Sequence, residues 1–426
     1  MKTKTALPAE RRDFLRKLGV GSLAAWSLPS LAFETQLQTI APYPGAAADE
    51  KYWQQIKKQF AVPENLIMLN AANLCPAPAA VNDEVRKMML GLEKDVSFDF
   101  RSQFPDKRKK AIEALAGYMN VSGAEIGITR NTSESNNIVV NGLDLKPEDE
   151  ILLWDQNHPS NSTTWEQRAK RYGFTVKKVG VPAAPQSVED LIKPFRDAIT
   201  SKTKVIAFSH ISNTSGIALP AKQLCALAAE KNVLSHLDGA QSLGAVDLDL
   251  KDIGCDFYTS SAHKWFMGPL ENGVLYVKKE SMANLWPNII SAGWKESSQT
   301  VDEKYCMLGQ RNEATMAGML ETVQFHQTIG KKNVADRVSQ LNSYLKEQIK
   351  SKIPQITFVT PIAPELSGGV TVISLPAKKP ADVAKVLYQT YGIAAAPTGG
   401  IRMSPHIYNT MSDLDKVVNA LKEAAV

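Results

Sequence analysis

Between residues 150 and 277 short apolar runs alternate with helix-length segments, and this alternation limits the fold more tightly than any other feature of the chain. Residues 151–154, 205–209, 233–237, 257–260 and 274–277 have the length and the branched or aromatic content of strands. Between them lie stretches such as 221–231 that suit helices. Such an order predicts a mostly parallel sheet with helices on both faces, an α/β architecture whose ligands collect beyond the carboxyl ends of the strands. Residues 126–129 predict an earlier strand of the same kind. A chain of 426 residues, 44% of them hydrophobic, is long enough for two domains at about 150 residues each.

The polar residues of chemical interest fall at those strand ends. Asp238-Gly239-Ala240-Gln241 closes an apolar strand, so its carboxylate emerges from a low-dielectric wall where pairing with a cation is strong. Ser261-Ala262-His263-Lys264 follows the next strand, just before Gly268-Pro269 and Asn272-Gly273. Lysine amines form Schiff bases with carbonyl cofactors, and an aspartate beside a pyridine nitrogen keeps that ring protonated as an electron sink. Taken alone the tetrapeptide reads as a solvated loop; its place after Asp238 gives it weight. Arg130-Asn131-Thr132-Ser133-Glu134 opens a helix after the strand at 126–129, and free N–H groups with hydroxyls there form an anion site suited to a phosphate. Thr132 and Ser133 are its expected contacts, although the same residues serve equally as an N-capping box. His158, just after a strand, is placed to stack on a flat ring or to be an ordinary loop histidine. Asn213, in Ser212-Asn213-Thr214-Ser215-Gly216, reads as a turn residue or as a partner for a ring hydroxyl.

The collinear order of Asn70-Ala71-Ala72, Thr132-Ser133-Glu134, His158, Ser212-Asn213, Asp238-Gly239-Ala240-Gln241, Ser261-Ala262-His263-Lys264 and Ile401-Arg402-Met403-Ser404-Pro405-His406 resembles the class V aminotransferases, and within them the isopenicillin N epimerase-like branch. The likeness runs from about residue 66 to the C-terminus. It implies fold type I with pyridoxal 5′-phosphate (PLP) as cofactor, a large cofactor domain at 66–293 and a smaller α+β domain at 294–426, with an N-terminal arm at 33–65 packing on the latter. It also implies roles: Lys264 for the cofactor aldehyde, Asp238 for the pyridinium, Gln241 and Asn213 for the ring hydroxyl and His158 for stacking. Ser133, Ser261 and His263 would bind the phosphate beside Thr132 and Glu134, and Arg402 would clamp the substrate carboxylate with its guanidinium fork. A homodimer with each site at the subunit interface follows from the same likeness. Two departures stand out. Where many relatives reach the neighbouring subunit's phosphate with a Gly-Thr pair, this chain has Gly309-Gln310, so Gln310 replaces the threonine or the contact is lost. No cysteine follows Cys306, which disfavours persulfide chemistry.

The first 32 residues read as a targeting segment. Glu10-Arg11-Arg12-Asp13-Phe14-Leu15-Arg16 precedes a weakly apolar run and Ser30-Leu31-Ala32 offers small residues at a processing site, as in a twin-arginine export signal. The formal charge of +5 is mostly this segment, whose Lys2, Lys4, Arg11, Arg12, Arg16 and Lys17 outweigh Glu10 and Asp13, leaving the rest near +1. Such a balance gives no reason to expect nucleic acid or stable membrane insertion. Lys107-Arg108-Lys109-Lys110 reads as a solvated helix face. Cys75, Cys225, Cys255 and Cys306 lack C-x-x-C spacing and are expected to be free thiols, and the six histidines show no metal-ligand spacing, so no metal is expected. Export of the folded, cofactor-loaded protein to the periplasm by the twin-arginine machinery points to an amino acid within a secreted peptide as substrate. In kind this resembles the tailoring of a siderophore, as at the glutamyl side chain in pyoverdine maturation.

Overall fold

A seven-stranded sheet carries the strand ends on which the sequence places its chemistry. The computed structural model describes residues 41–45, 49–375 and 378–425, so the expected export signal at 1–32 lies outside the described residues. After a short strand β1 (Ile67–Met68), the sheet is built from β2 (Ile126–Thr129), β3 (Glu150–Trp154), β4 (Thr175–Val179), β5 (Thr203–Ser209), β6 (Leu234–Asp238), β7 (Phe257–Ser261) and β8 (Gly273–Val277). Their spatial order is β2-β8-β7-β6-β5-β3-β4. Strands β3 to β7 pair in parallel, and only β8 runs against its neighbours β7 and β2.

Alternation along each strand feeds two separate apolar layers. Leu152, Ile206, Phe208 and Leu237 face a core completed by Leu115, Leu191, Phe195 and Leu224 from helices Phe104–Met119, Val188–Ala198 and Ala221–Glu230. Ile151, Leu153, Val205 and Ala207 face the opposite layer with Ile138, Val139 and Trp165 from helices Thr132–Gly142 and Pro159–Tyr172. Each fully buried Leu, Ile or Phe contributes about 1.5–3 kcal/mol, which explains why strands covered on both faces are apolar throughout. The expected strands shift slightly at their ends. Asp238 belongs to β6 and Ser261 to β7, because Asp238 pairs in register with Thr259 and the ladder continues to that point.

The C-terminal third adds an antiparallel sheet in the order β12-β10-β9, from β9 (Thr357–Phe358), β10 (Thr371–Ser374), β11 (Ile393–Ala394) and β12 (Ile401–Met403), with β11 instead pairing in parallel with β1. Its core joins Leu341, Leu345, Ile373, Leu387, Val417 and Leu421 to Ile67 and Leu69. The arm helix Glu50–Lys57, capped by Asp49, is tied down by Glu50 to Arg337 at 2.6 Å and Lys57 to Asp413 at 2.7 Å.

One sequence reading is corrected here. Arg108 does not sit on a solvated face. It turns under helix Phe104–Met119 and grips Asp302 through Nε at 2.6 Å and Nη2 at 2.5 Å, while Nη2 also donates to the Ile128 carbonyl. Lys110, two positions on, stays outside and pairs with Asp106. The run therefore straddles the edge of the apolar stripe. All four cysteines are buried free thiols, and no helix among the described residues is long and apolar enough to cross a membrane.

Candidate active site

Adjacent ends of β6 and β7 bring Asp238 and the Lys264 turn together. Asp238 is only 2% exposed, and its two oxygens accept from Ala240 N and Asn136 Nδ2, each at 3.1 Å. Gly239 is required where the chain leaves β6, since a Cβ there would meet the Tyr258 ring at 2.0 Å. Among the described residues no basic side chain completes the Asp238 hydrogen-bond set, although burying a carboxylate without an opposite charge is costly.

The turn bearing Lys264 is held from several sides. Met267 N returns to the Lys264 carbonyl and Gly268 N to that of Ala262, both at 2.8 Å, with Met267 in the left-handed region at φ 55°. Two buried imidazoles fix the next carbonyls: His406 Nε2 lies 2.7 Å from Trp265 O and His326 Nε2 lies 3.0 Å from Phe266 O. Burial pushes them down to about 4 and about 3, so both donate as neutral rings. Burial likewise lowers the Lys264 amine, Asp238 acts against that and Arg402 adds to it. A lysine so placed is more readily deprotonated than a surface lysine.

The other residues singled out from the sequence gather around this pair or turn away from it. Thr132 N and Oγ1 meet Ser261 Oγ at 2.8 and 2.6 Å, which fastens the N-terminus of helix Thr132–Gly142 to the end of β7. His263 is half-buried with Nδ1 buried and unpartnered, and burial followed by Lys264 pushes it down to about 4. His158 caps helix Pro159–Tyr172, accepting from Ser160 N on Nδ1 at 3.2 Å. Burial, then Lys264, lower its pKa, Asp238 raises it and Arg402 lowers it, so the ring sits among all three charges. Gln241 accepts from Trp265 Nε1 at 2.7 Å and donates to Ala72 O at 2.9 Å, which leaves one amide N–H for a ligand. Arg402, 5% exposed, donates to the Asn213 carbonyl at 3.2 Å and to Asn70 Oδ1 at 2.9 Å, and its Nε has no partner. Burial pushes the guanidinium down to about 10, which leaves it charged at neutral pH.

Ser133 is exposed, and the Glu134 carboxylate is taken by Arg130, through its backbone N at 2.6 Å and its guanidinium at 2.8 Å. Gln310 lies exposed on the turn before Arg311, whose guanidinium donates to the Ile128 and Thr129 carbonyls. Sequence reasoning missed Asn136, Thr259 and His326 as supports, and it singled out Asn70 without giving it a role. Asn136 had a signal, because a spacing of four places it on the same helical face as Thr132.

This arrangement provides a buried anion, a buried cation with a bare guanidinium N–H, and a lysine amine of lowered proton affinity, next to a helix N-terminus. Comparison with known proteins gives the family and the fold. Residues 69–417 match the family described as Aminotransferase class-V. The isopenicillin N epimerase of Amycolatopsis lactamdurans is 28% identical over 87% of this chain and 98% of its own length. A probable cysteine desulfurase of Staphylococcus epidermidis is 30% identical over 75% of this chain and 81% of its own. Among solved structures, a C-DES mutant with glycine covalently linked to its PLP cofactor superposes with a TM-score of 0.78 at 22% identity, over 87% of this chain and 98% of that one.

Proposed function

This chain belongs to the class V aminotransferases, a PLP-dependent family of fold type I, and from that premise we propose that it is an exported enzyme acting at the α-carbon of an amino acid carried by a peptide, with transfer of the amino group as its reaction. The observation that carries the reading is the convergence of Asp238, Lys264 and Arg402, charges withdrawn from water that form no ion pair among the described residues. The donor set fits PLP and an amino-acid substrate: Asp238 for a pyridinium, Lys264 for an aldehyde, Thr132 with Ser261 and His263 for a phosphate, and Arg402 for a carboxylate. When bound, PLP supplies an electron sink for the bond broken at the α-carbon.

The chain's own groups do the remaining work. Arg402 fixes the substrate carboxylate, with Asn70 and the Asn213 carbonyl holding the guanidinium in place. Lys264 Nζ, lowered by burial, takes the α-proton as general base. Asp238 would pair with the pyridinium, and His158 would offer its imidazole face to the ring. Returning the proton to the other face of the α-carbon would give epimerisation, the second reading, favoured by an epimerase relative matched over 87% of this chain. Desulfuration through a cysteine persulfide is disfavoured. Burial holds the Cys75 and Cys225 thiols up at about 12 and those of Cys255 and Cys306 well above the ordinary range, whereas such a nucleophile needs a thiolate.

Export rests on Arg11-Arg12 and the small residues up to Ala32, and it is the ground for a peptide rather than a free amino acid as substrate. A glutamyl residue of a siderophore such as pyoverdine satisfies both the export route and the family chemistry. A homodimer is supported by the exposed Leu74, Met89, Leu90 and Leu270, which border one groove beside Pro269.

The reading is tested by titrating the PLP-loaded protein with a panel of amino acids and then with a glutamyl peptide, following the cofactor's absorption and the product. Bleaching by the peptide with a keto product supports aminotransfer on a peptide. Equal turnover of free amino acids would overturn the peptide assignment, and a racemised product would replace aminotransfer with epimerisation.

A further inference from the structure

Behind Asp238 lies a run of buried polar groups that no step above employs. Asn136, His236 and Thr259 are each 0% exposed. They come from different elements: Asn136 from helix Thr132–Gly142, His236 from β6 two residues before Asp238, and Thr259 from β7 in register with Asp238. Asn136 Nδ2 donates to Asp238 Oδ2 at 3.1 Å. The other end of the same amide, Oδ1, accepts from Thr259 Oγ1 at 2.6 Å and lies 3.2 Å from His236 Nε2.

Only one orientation of this amide satisfies its neighbours. Turned over, it would set a carbonyl oxygen against the Asp238 carboxylate, so Nδ2 faces Asp238 and Oδ1 is the acceptor. His236 then carries its proton on Nε2, and its Nδ1 is a bare ring nitrogen. That assignment matches the surroundings, because Nδ1 is buried without a partner and a proton there would be an unmet donor. Burial pushes His236 down to about 4, with Asp238 acting the other way, so it supplies a donor without a charge.

We infer that Asn136 is a positioning residue for Asp238, with Thr259 and His236 fixing and polarising its amide. A carboxylate rotates in a broad torsional well unless both oxygens are held. Ala240 N on one oxygen and Asn136 Nδ2 on the other remove that freedom, and donors in series strengthen the last bond. The carboxylate is thereby set in one plane before the ring arrives. The inference rests on the functional reading above, since it gives Asn136 a task toward the partner of a pyridinium.

Full-length PLP-loaded Asn136→Ala and Thr259→Val proteins test it through the cofactor's absorption as a function of pH, steady-state kinetics, and the melting point of the cofactor-free protein. Asn136→Ala is expected to displace the pH midpoint of the cofactor band by about one unit. It should also lower kcat by roughly tenfold to a hundredfold, the effect of losing a hydrogen bond to a charged group, with KM within about twofold. Thr259→Val, which removes a hydroxyl bonded to the Asn136 amide and not to the Asp238 carboxylate, should move the band the same way by less. Bands and midpoints that match the wild type in both variants, with kcat falling only as the folded fraction falls, would overturn the inference. Should Asn136→Ala fail to fold, Thr259→Val decides alone by the presence or absence of the band shift. A wild-type protein that takes up no PLP would sink the functional reading itself, a result distinct from either outcome for the variants.

Discussion

Two sets of buried charge in this molecule obey opposite rules. Under helix Phe104–Met119, Arg108 and Asp302 meet through paired nitrogens and oxygens, and at the arm Arg337 meets Glu50 at 2.6 Å and lies 5.1 Å from the Trp53 ring centre. At the ends of β6, β7 and β12, by contrast, Asp238 and Arg402 lean on amides and carbonyls, and with Lys264 they form no ion pair among the described residues. A matched pair is complete without a ligand and serves the fold. An unmatched set stays costly until something brings the missing charges, which is why it marks the site.

The largest expected effect falls on the unmatched set. Lys264→Ala should lose at least about a thousandfold in turnover, more than about 4 kcal/mol of barrier, while the cofactor-free protein melts as the wild type does; stopped-flow kinetics and calorimetry check both. Turnover within tenfold of wild type would break the distinction between the two regions. On the matched side, Asp302→Ala should cost about 3 kcal/mol of stability in denaturant unfolding, since it strands Arg108 and frees the Ile128 N–H. Its kcat per folded molecule should stay within about twofold of wild type. Arg402→Lys keeps a charge but loses the fork, and should raise KM for a carboxylate-bearing substrate by about tenfold with a smaller change in kcat.

The smallest effect sharpens the comparison from a third place. Lys346 is 4% exposed, donates to Pro361 O and Ser367 Oγ, and is pushed down by burial to about 8. The unfolded chain holds that proton up to about 10.4, so the unfolded state binds more protons between those values and stability rises with pH across the window. The slope is at most about 1.4 kcal/mol per pH unit, and Lys346→Met should remove it. Unchanged pH dependence in that variant would show that burial alone does not set the behaviour of an unmatched lysine here.

Much of the sheet was legible because strands buried on both faces leave continuous apolar runs, and turn residues mark where they stop. Asp238 and Lys264 were legible for the same reason: each is a charged residue placed just where such a run ends. What stayed hidden depended on long-range pairing. β1 and β11 are two-residue strands that meet across more than three hundred positions, and neither carries a local pattern. Arg108 looked like its lysine neighbours, because nothing nearby in sequence announces Asp302. His236 lies inside an apolar strand run, and the partners that give it and Asn136 a task lie on other elements.

The central claim is that Lys264 is the amine that takes up the cofactor's aldehyde. Borohydride reduction of the PLP-loaded protein, followed by peptide mass mapping, tests it most directly. The account predicts a single pyridoxyl adduct on Lys264, abolished in Lys264→Ala while the same treatment leaves Lys346 unmodified. An adduct on another lysine, or none on a protein that has demonstrably bound PLP, would contradict it.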